Sequence, residues 1–175
     1  MKKQQNDNVS AIDMLEAQHR EVEELFDQFD ELAEDDPASE NAYLAARTIC
    51  DRLTQHAVIE EEIFYPAART QDTEDLVAEA AVEHLSVKRL IADVEAMSAG
   101  DEMLKATVSV LQEQVEHHVE EEEQSLFPQV SQDLSSDELD RLAEQMRERL
   151  TDLQETSGKA RNGRAKTIKR PSPNV

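Results

Sequence analysis

His56-Ala57-Val58-Ile59-Glu60-Glu61-Glu62-Ile63-Phe64-Tyr65-Pro66 recurs without a gap as His118-Val119-Glu120-Glu121-Glu122-Glu123-Gln124-Ser125-Leu126-Phe127-Pro128. Each copy places a histidine four residues ahead of a glutamate. On a helix that spacing sends both side chains from one face, about one turn apart. An aromatic residue and a proline close each copy, so the two stretches read as an internal repeat.

The chain around the repeat has a helical period. Ile12, Leu15, His19, Val22, Phe26, Phe29 and Ala33 follow steps of three and four. So do Ile49, Leu53, His56, Glu60, Ile63 and Ala67; then Val77, Ala80, His84, Val87, Ile91 and Val94; then Leu104, Val108, Leu111, Val115, His118 and Glu122. Pro37, Pro66, Gly100 and Pro128 divide these seams into four lengths whose interiors are rich in good helix formers. Asp36 before Pro37, Asp72 or Thr73, and Asp101 are the expected N-caps of the second, third and fourth helices. Short links between long amphipathic helices favour antiparallel neighbours. The expected fold is therefore all-α, an antiparallel up-down-up-down four-helix bundle.

A Ser-x-x-Glu box, Ser135 to Glu138, opens a fifth helix expected to end near Gln154. Leu139, Leu142, Met146, Leu150 and Leu153 form the stripe that lays this helix on the bundle. Residues 1–9 read as a flexible N-terminus, 10–155 as the domain, and 156–175 as a disordered basic tail.

The inner seams carry His19, His56, Glu60, His84, His118 and Glu122, where a plain bundle would have Leu or Val. Burying unpaired carboxylates costs several kcal/mol, so these polar groups need a common partner. In antiparallel order all four histidines fall roughly 14–17 Å from one end of the bundle, at about 1.5 Å per residue. Imidazoles converging at one level with carboxylates a turn away make a metal site. Nitrogen and oxygen donors of this kind suit iron, manganese or zinc. Two carboxylates among four imidazoles suggest two ions bridged by the carboxylates. With an oxo or hydroxo bridge added, about one position per ion stays open for an exogenous ligand. A ferritin-like di-iron site would need Glu-x-x-His on two helices; only Glu16-Ala17-Gln18-His19 fits, and Glu16 lies beside the seam.

Charge excludes other classes. The chain has 175 residues with 40 Asp+Glu against 18 Lys+Arg, a formal charge of -22. Lys159, Arg161, Arg164, Lys166, Lys169 and Arg170 lie beyond Gly158, so the body ahead of them is more acidic still. Such a surface repels nucleic acid and anionic lipid, and neither is expected as a ligand. The basic tail reads as a solubilising or partner-contacting extension. No long apolar run or signal-peptide core is present, and one cysteine, Cys50, cannot make an internal disulfide. A soluble cytoplasmic protein is the expectation.

At these residues the sequence resembles the hemerythrin-like family, in its HHE cation-binding branch. His19, His56-x-x-x-Glu60, His84 and His118-x-x-x-Glu122 match the family's ligand pattern in order, over roughly residues 10 to 155. The resemblance implies a non-haem di-iron centre in a four-helix bundle, with the four histidines as terminal ligands and Glu60 and Glu122 as bridges. It implies binding of, or reaction with, dioxygen, peroxide or nitric oxide, in oxidative or nitrosative stress, oxygen sensing or iron homeostasis. A peroxide-decomposing enzyme and an acidic interaction module with a non-catalytic metal site are the alternatives.

The sequence departs from oxygen-carrying hemerythrins at two places. Lys88 stands where those have a second histidine on the third helix, and the fourth helix has Glu122 at a spacing of four instead of an Asp at five. Both put oxygen storage in question, and Glu61 or Glu83 is a candidate extra ligand. Off the seam, His117 reads as a surface histidine, Glu121 and Glu123 as solvent-facing, Cys50 as packing, and Tyr43 and Tyr65 as packing near the bundle ends, with a redox phenol the second reading of either.

Overall fold

The computed structural model describes residues 9–167, and every regular element among them is helical. Helix α1 is Ala11–Asp35, opened by a reciprocal cap in which Ser10 Oγ accepts from the Asp13 N–H and the Asp13 carboxylate accepts from the Ser10 N–H. Helix α2 begins as Glu40–Ile59, passes through a π-helical turn, Glu60–Phe64, and ends with Tyr65–Ala68. Helix α3 is Glu74–Ala96. Helix α4 repeats the plan of α2: Leu104–Glu121, a π-helical turn Glu122–Leu126, then Phe127–Asp133. Helix α5 is Ser136–Thr167. Packing neighbours run α1, α2, α3, α4 and close back on α1, with α5 laid against α1 and α2.

The seams of α1 and α3 are buried residue for residue as the period predicts. Past Glu60 the seam of α2 changes phase. Phe64, Tyr65 and Ala68 are buried there, whereas Ile63 and Ala67, expected inside, are only partly so. The cause is the wide turn, in which the Tyr65 N–H reaches back to the Glu60 carbonyl; the Phe127 N–H does the same to Glu122. Pro66 and Pro128 explain it. A proline inside a helix lacks a donor and crowds the carbonyl four residues earlier, and one wider turn relieves both. These prolines therefore mark π-turns and not the helix boundaries they suggest in sequence.

The caps expected for α2, α3 and α4 all differ, and the N-cap of α4 is Met103 instead of Asp101. Asp36 closes α1, its N–H donating to Leu32 O, while its own carboxylate accepts from the Ala38 N–H. Ser39 caps α2, its Oγ accepting from the Ala42 N–H. Thr73 does precede α3, but its hydroxyl donates to Ala68 O and leaves the helix end uncapped. Asp101 accepts from the Met103 N–H one turn before α4. Gly100, at φ 87°, makes the reversal that a side chain would strain. Helix α5 runs on to Thr167, past the end expected near Gln154 and into the segment expected to be disordered. Gly158 and Gly163 cost about 1 kcal/mol each relative to Ala, too little to stop a helix among Lys, Arg and Ala. The flexible terminus expected for residues 1–9 lies outside the described residues up to residue 8, as does the tail from 168 to 175.

Buried apolar side chains form two clusters. One gathers Leu15, Phe64, Leu126, Phe127 and Met146 with the start of α1 and the α5 stripe. The other gathers Phe26, Phe29, Ile49, Ile91, Leu104 and Leu111 toward the opposite end. The four seam histidines lie between them, as one polar layer in an otherwise apolar interior.

Candidate metal centre

Position on the seam buries all six predicted ligands. Glu60 is 0% and Glu122 1% exposed, and the four histidines are between 3% and 6%. The imidazoles meet in two pairs. His19 Nε2 lies 3.2 Å from His56 Nε2, and His84 Nε2 lies 3.1 Å from His118 Nε2. Glu60 sits between the pairs, with Oε1 3.2 Å from His56 Nε2 and Oε2 3.3 Å from His84 Nε2. Glu122 Oε2 faces the remaining two, 3.4 Å from His19 Nε2 and 3.6 Å from His118 Nε2. Two donor groups able to hold an ion result, one of His19, His56, Glu60 and Glu122, the other of Glu60, His84 and His118.

The outer nitrogens settle which way the inner ones face. Each Nδ1 meets a side-chain oxygen: His19 meets Glu123 at 2.9 Å, His56 meets Gln18 at 2.8 Å, His84 meets Glu61 at 2.9 Å and His118 meets Glu83 at 2.8 Å. All four acceptors call for a proton on Nδ1, which in the neutral ring leaves the Nε2 lone pair pointing inward. Two inward lone pairs 3.1–3.2 Å apart repel unless a proton or a metal ion lies between them. Such outer partners fix tautomer and ring orientation at metal sites.

The carboxylates give the same indication. Neither oxygen of Glu60, nor Oε2 of Glu122, has a hydrogen-bond partner. A buried unsatisfied carboxylate is costly, and a cation between the imidazole pairs removes that cost. Burial alone would raise the Glu60 carboxyl, but His56 and His84 beside it hold it well below the usual carboxylate range. Burial likewise lowers His19 and His84; the surrounding carboxylates, Glu122 foremost at His19 and Glu60 at His84, together more than offset this, so both imidazoles lie above their ordinary value. The layer therefore draws positive charge inward, and its donor set fits a metal ion.

Glu61 and Glu83, considered as extra ligands, stand behind the imidazoles of His84 and His118 instead of on the inner side. Lys88 pairs with Glu61 at 2.6 Å and is 43% exposed at its side chain, so it supports His84 from outside. Glu123, expected in solvent, bonds His19, and both of its carboxylate oxygens accept from Arg20 Nη2. Its position directly after Glu122 conceals this, since the wide turn rotates it back toward α1. His117 is exposed, with Glu83 at 3.6 Å and Glu121 at 3.5 Å. Cys50 is buried packing, its thiol pushed up to about 12 by burial.

Tyr65, read from sequence as packing near a bundle end, lies at the centre instead. Its hydroxyl enters the centre, donating to Glu122 Oε1 at 2.9 Å and standing 3.3 Å from His84 Nε2. Burial, then the Glu60 and Glu122 carboxylates, push its phenol far up, so it holds its proton. The available signal was the second copy of the repeat, where Phe127 occupies the same position without a hydroxyl. Phe127 stacks on His19 at a centroid distance of 5.8 Å.

On the side away from Tyr65, the four histidines face a cavity of about 20 Å³ walled by Val22, Leu53, Val87, Val115 and Val119. That is room for one molecule near the size of water. A wider groove of about 280 Å³ between α1 and α4 shares His19, Val22, Val115 and Val119 with it and is bordered by Arg20 and Glu123.

Four helices presenting paired imidazoles and buried carboxylates to one level define a metal-binding helical bundle. Residues 10–130 match the hemerythrin HHE cation-binding domain family, and the chain belongs to that family. The chain is similar to a crystal structure of a hemerythrin HHE cation binding domain-containing protein, the Rv2633c homolog from Mycobacterium kansasii. That likeness has a TM-score of 0.71 at 23% identity, over 85% of this chain and 89% of the other. It is also 30% identical over 146 residues to a protein of Nostoc sp. (strain PCC 7120) described as a DNA nickase. The match takes in 83% of this chain but spans only 40% of that relative's length. No described helix is long and apolar enough to cross a membrane.

Proposed function

We propose that the protein is a non-haem di-iron hemerythrin-like protein that binds or reacts with dioxygen, peroxide or nitric oxide, and that it works in the cytoplasm. The carrying observation is Glu60, wholly buried between two imidazole pairs with both oxygens unpartnered. Its geometry supports one carboxylate shared by two ions, with His19 and His56 on one and His84 and His118 on the other. Glu122 would be the second bridge. Histidine and carboxylate donors suit iron, which when bound supplies the redox chemistry that diatomic and peroxide ligands require. The return of each histidine to one level supports helices that alternate in direction around the bundle.

The chain's own residues divide the remaining work. Gln18, Glu61, Glu83 and Glu123 hold the four rings in place by their Nδ1 atoms. Tyr65 holds a proton at its hydroxyl, 2.9 Å from Glu122 Oε1, where it can donate to oxygen chemistry on that side. Valine and leucine side chains keep bulk water from the cavity and limit its occupant to a diatomic or similarly small molecule. DNA nicking is the description of the Nostoc relative; the acidic body of this chain favours no nucleic-acid ligand.

The test is an absorption spectrum of the iron-loaded protein with oxygen, azide and peroxide added in turn. Ligand-dependent charge-transfer bands are expected, and their absence with all three contradicts the reading. Oxygen evolution from peroxide that disappears in Glu60→Ala identifies the enzyme alternative. Bands without turnover identify a sensor or carrier.

A further inference from the structure

Val82 and Leu85, at 63% and 65%, are the most exposed large apolar side chains among the described residues. Together with exposed Ala78 and Ala81 they form a stripe along the outer face of α3, turned away from the seam that carries His84. An open groove of about 680 Å³ runs beside it, floored by Tyr65 and Pro66. Among the described residues, nothing covers this face.

The stripe has an internal symmetry. About a point between Ala81 and Val82, Ala81 is the counterpart of Val82, Ala78 of Leu85, Asp75 of Lys88, and Glu74 of Arg89. All eight fall on one helix face at steps of three and four. From its N-terminal end that face therefore reads acid, small apolar, large apolar, base, and reversed it reads as its own complement. A second α3 lying antiparallel on the first would put small against large at the centre and acid against base at both ends. The outer ion pairs would sit about 11 Å from the axis at about 1.5 Å per residue. Glu74 and Arg89 are exposed and have no ion-pair partner among the described residues. The helix dipole does not account for the basic pair, because Lys88 and Arg89 lie ahead of the last turn, which holds no base.

We propose that this face is an isologous interface, through which the protein pairs with a second copy of itself by an antiparallel α3–α3 contact whose two-fold axis passes between Ala81 and Val82. Only such a closed contact uses each counterpart twice, which is why the complementarity lies within one helix. Small residues at 78 and 81 allow the two backbones to approach closely. The partner helix would cover the groove beside Tyr65 and the Glu61–Lys88 pair, sheltering the His84 side of the metal layer from solvent. The interface stands on the α3 surface alone and does not depend on which metal the centre holds.

Sedimentation equilibrium of the 175-residue chain at physiological salt tests this. A concentration-dependent dimer is expected, lost in Leu85→Glu and retained in Leu44→Glu, which alters an exposed leucine on another helix. Glu74→Arg and Arg89→Glu should each weaken the dimer by about tenfold or more, and the double reversal should restore it, because an isologous contact re-pairs both ends. Mild oxidation of Ala81→Cys should give a disulfide-linked dimer, while Leu44→Cys should not; Cys50 is buried and stays out of the reaction. A wild-type chain that stays monomeric overturns the proposal. So does a dimer indifferent to Leu85→Glu, a charge reversal that is not rescued, or an Ala81→Cys chain that fails to cross-link.

Discussion

The Tyr65 hydroxyl donates to Glu122 Oε1, joining the repeat copy on α2 to the carboxylate of the copy on α4. This contact leaves Glu122 with one oxygen held and one directed at His19 and His118, whereas Glu60 has both oxygens directed at imidazoles. The two carboxylates are thus related by the repeat but not equivalent.

Removing that donor tests the asymmetry. Tyr65→Phe leaves a buried carboxylate oxygen without its partner and should cost the metal-free protein about 1–3 kcal/mol in denaturant unfolding. Iron content should not change, because the phenol holds a proton and not a metal. A parallel fall in iron content would show Tyr65 to be a ligand.

Metal uptake should depend steeply on pH. His19 and His84 titrate above the ordinary imidazole value, so protons compete with the ion over a range beginning above about 6.5. Apparent affinity, read by competition with a chelator, should fall as pH drops through that range. The metal-free protein should show the reverse trend from these two groups. Their contribution to stability is fully present below the unfolded value and is lost as pH rises through the raised folded values. Glu60, held low, contributes above the unfolded carboxylate value, and that contribution disappears as pH falls through its folded value. Melting of the apo and loaded forms at pH 6 and about pH 8 separates the trends.

The outer partners should matter almost as much as the ligands. Gln18→Leu frees His56 Nδ1, and Glu83→Gln weakens the grip on His118 Nδ1. Each should lower metal affinity by about 10–100-fold with little change in helix content. Equal affinity in both variants would mean that the rings are oriented by packing alone.

The ligand cavity can be closed without touching the centre. Val119 borders both the cavity and the groove outside it. Val119→Phe should keep the iron content and abolish the azide-dependent spectrum, at a packing cost of about 1–3 kcal/mol. Unaltered azide binding would place the exogenous ligand elsewhere.

Most of the fold was readable because period, polarity and punctuation agreed. The α1 and α3 seams match the buried residues throughout, and the polar intrusions on all four seams converge in space. Where reading failed, backbone geometry had overridden the period. Pro66 and Pro128 look like stops, yet each is absorbed by a π-turn that carries the helix onward and advances its inner face. That advance brings Tyr65 inward and sets Glu123 against His19, and a pattern built on 3.6 residues per turn gives neither. The long extension of α5 escaped for a different reason: beyond Gln154 no apolar period marks an inner face, and the helix runs on without one.

Anaerobic iron loading followed by metal analysis of the purified chain tests the central claim most directly. Two irons per chain are predicted, falling in Glu60→Ala, which removes the carboxylate shared by both donor groups. Well under two in the unaltered chain, or full loading without Glu60, would contradict it.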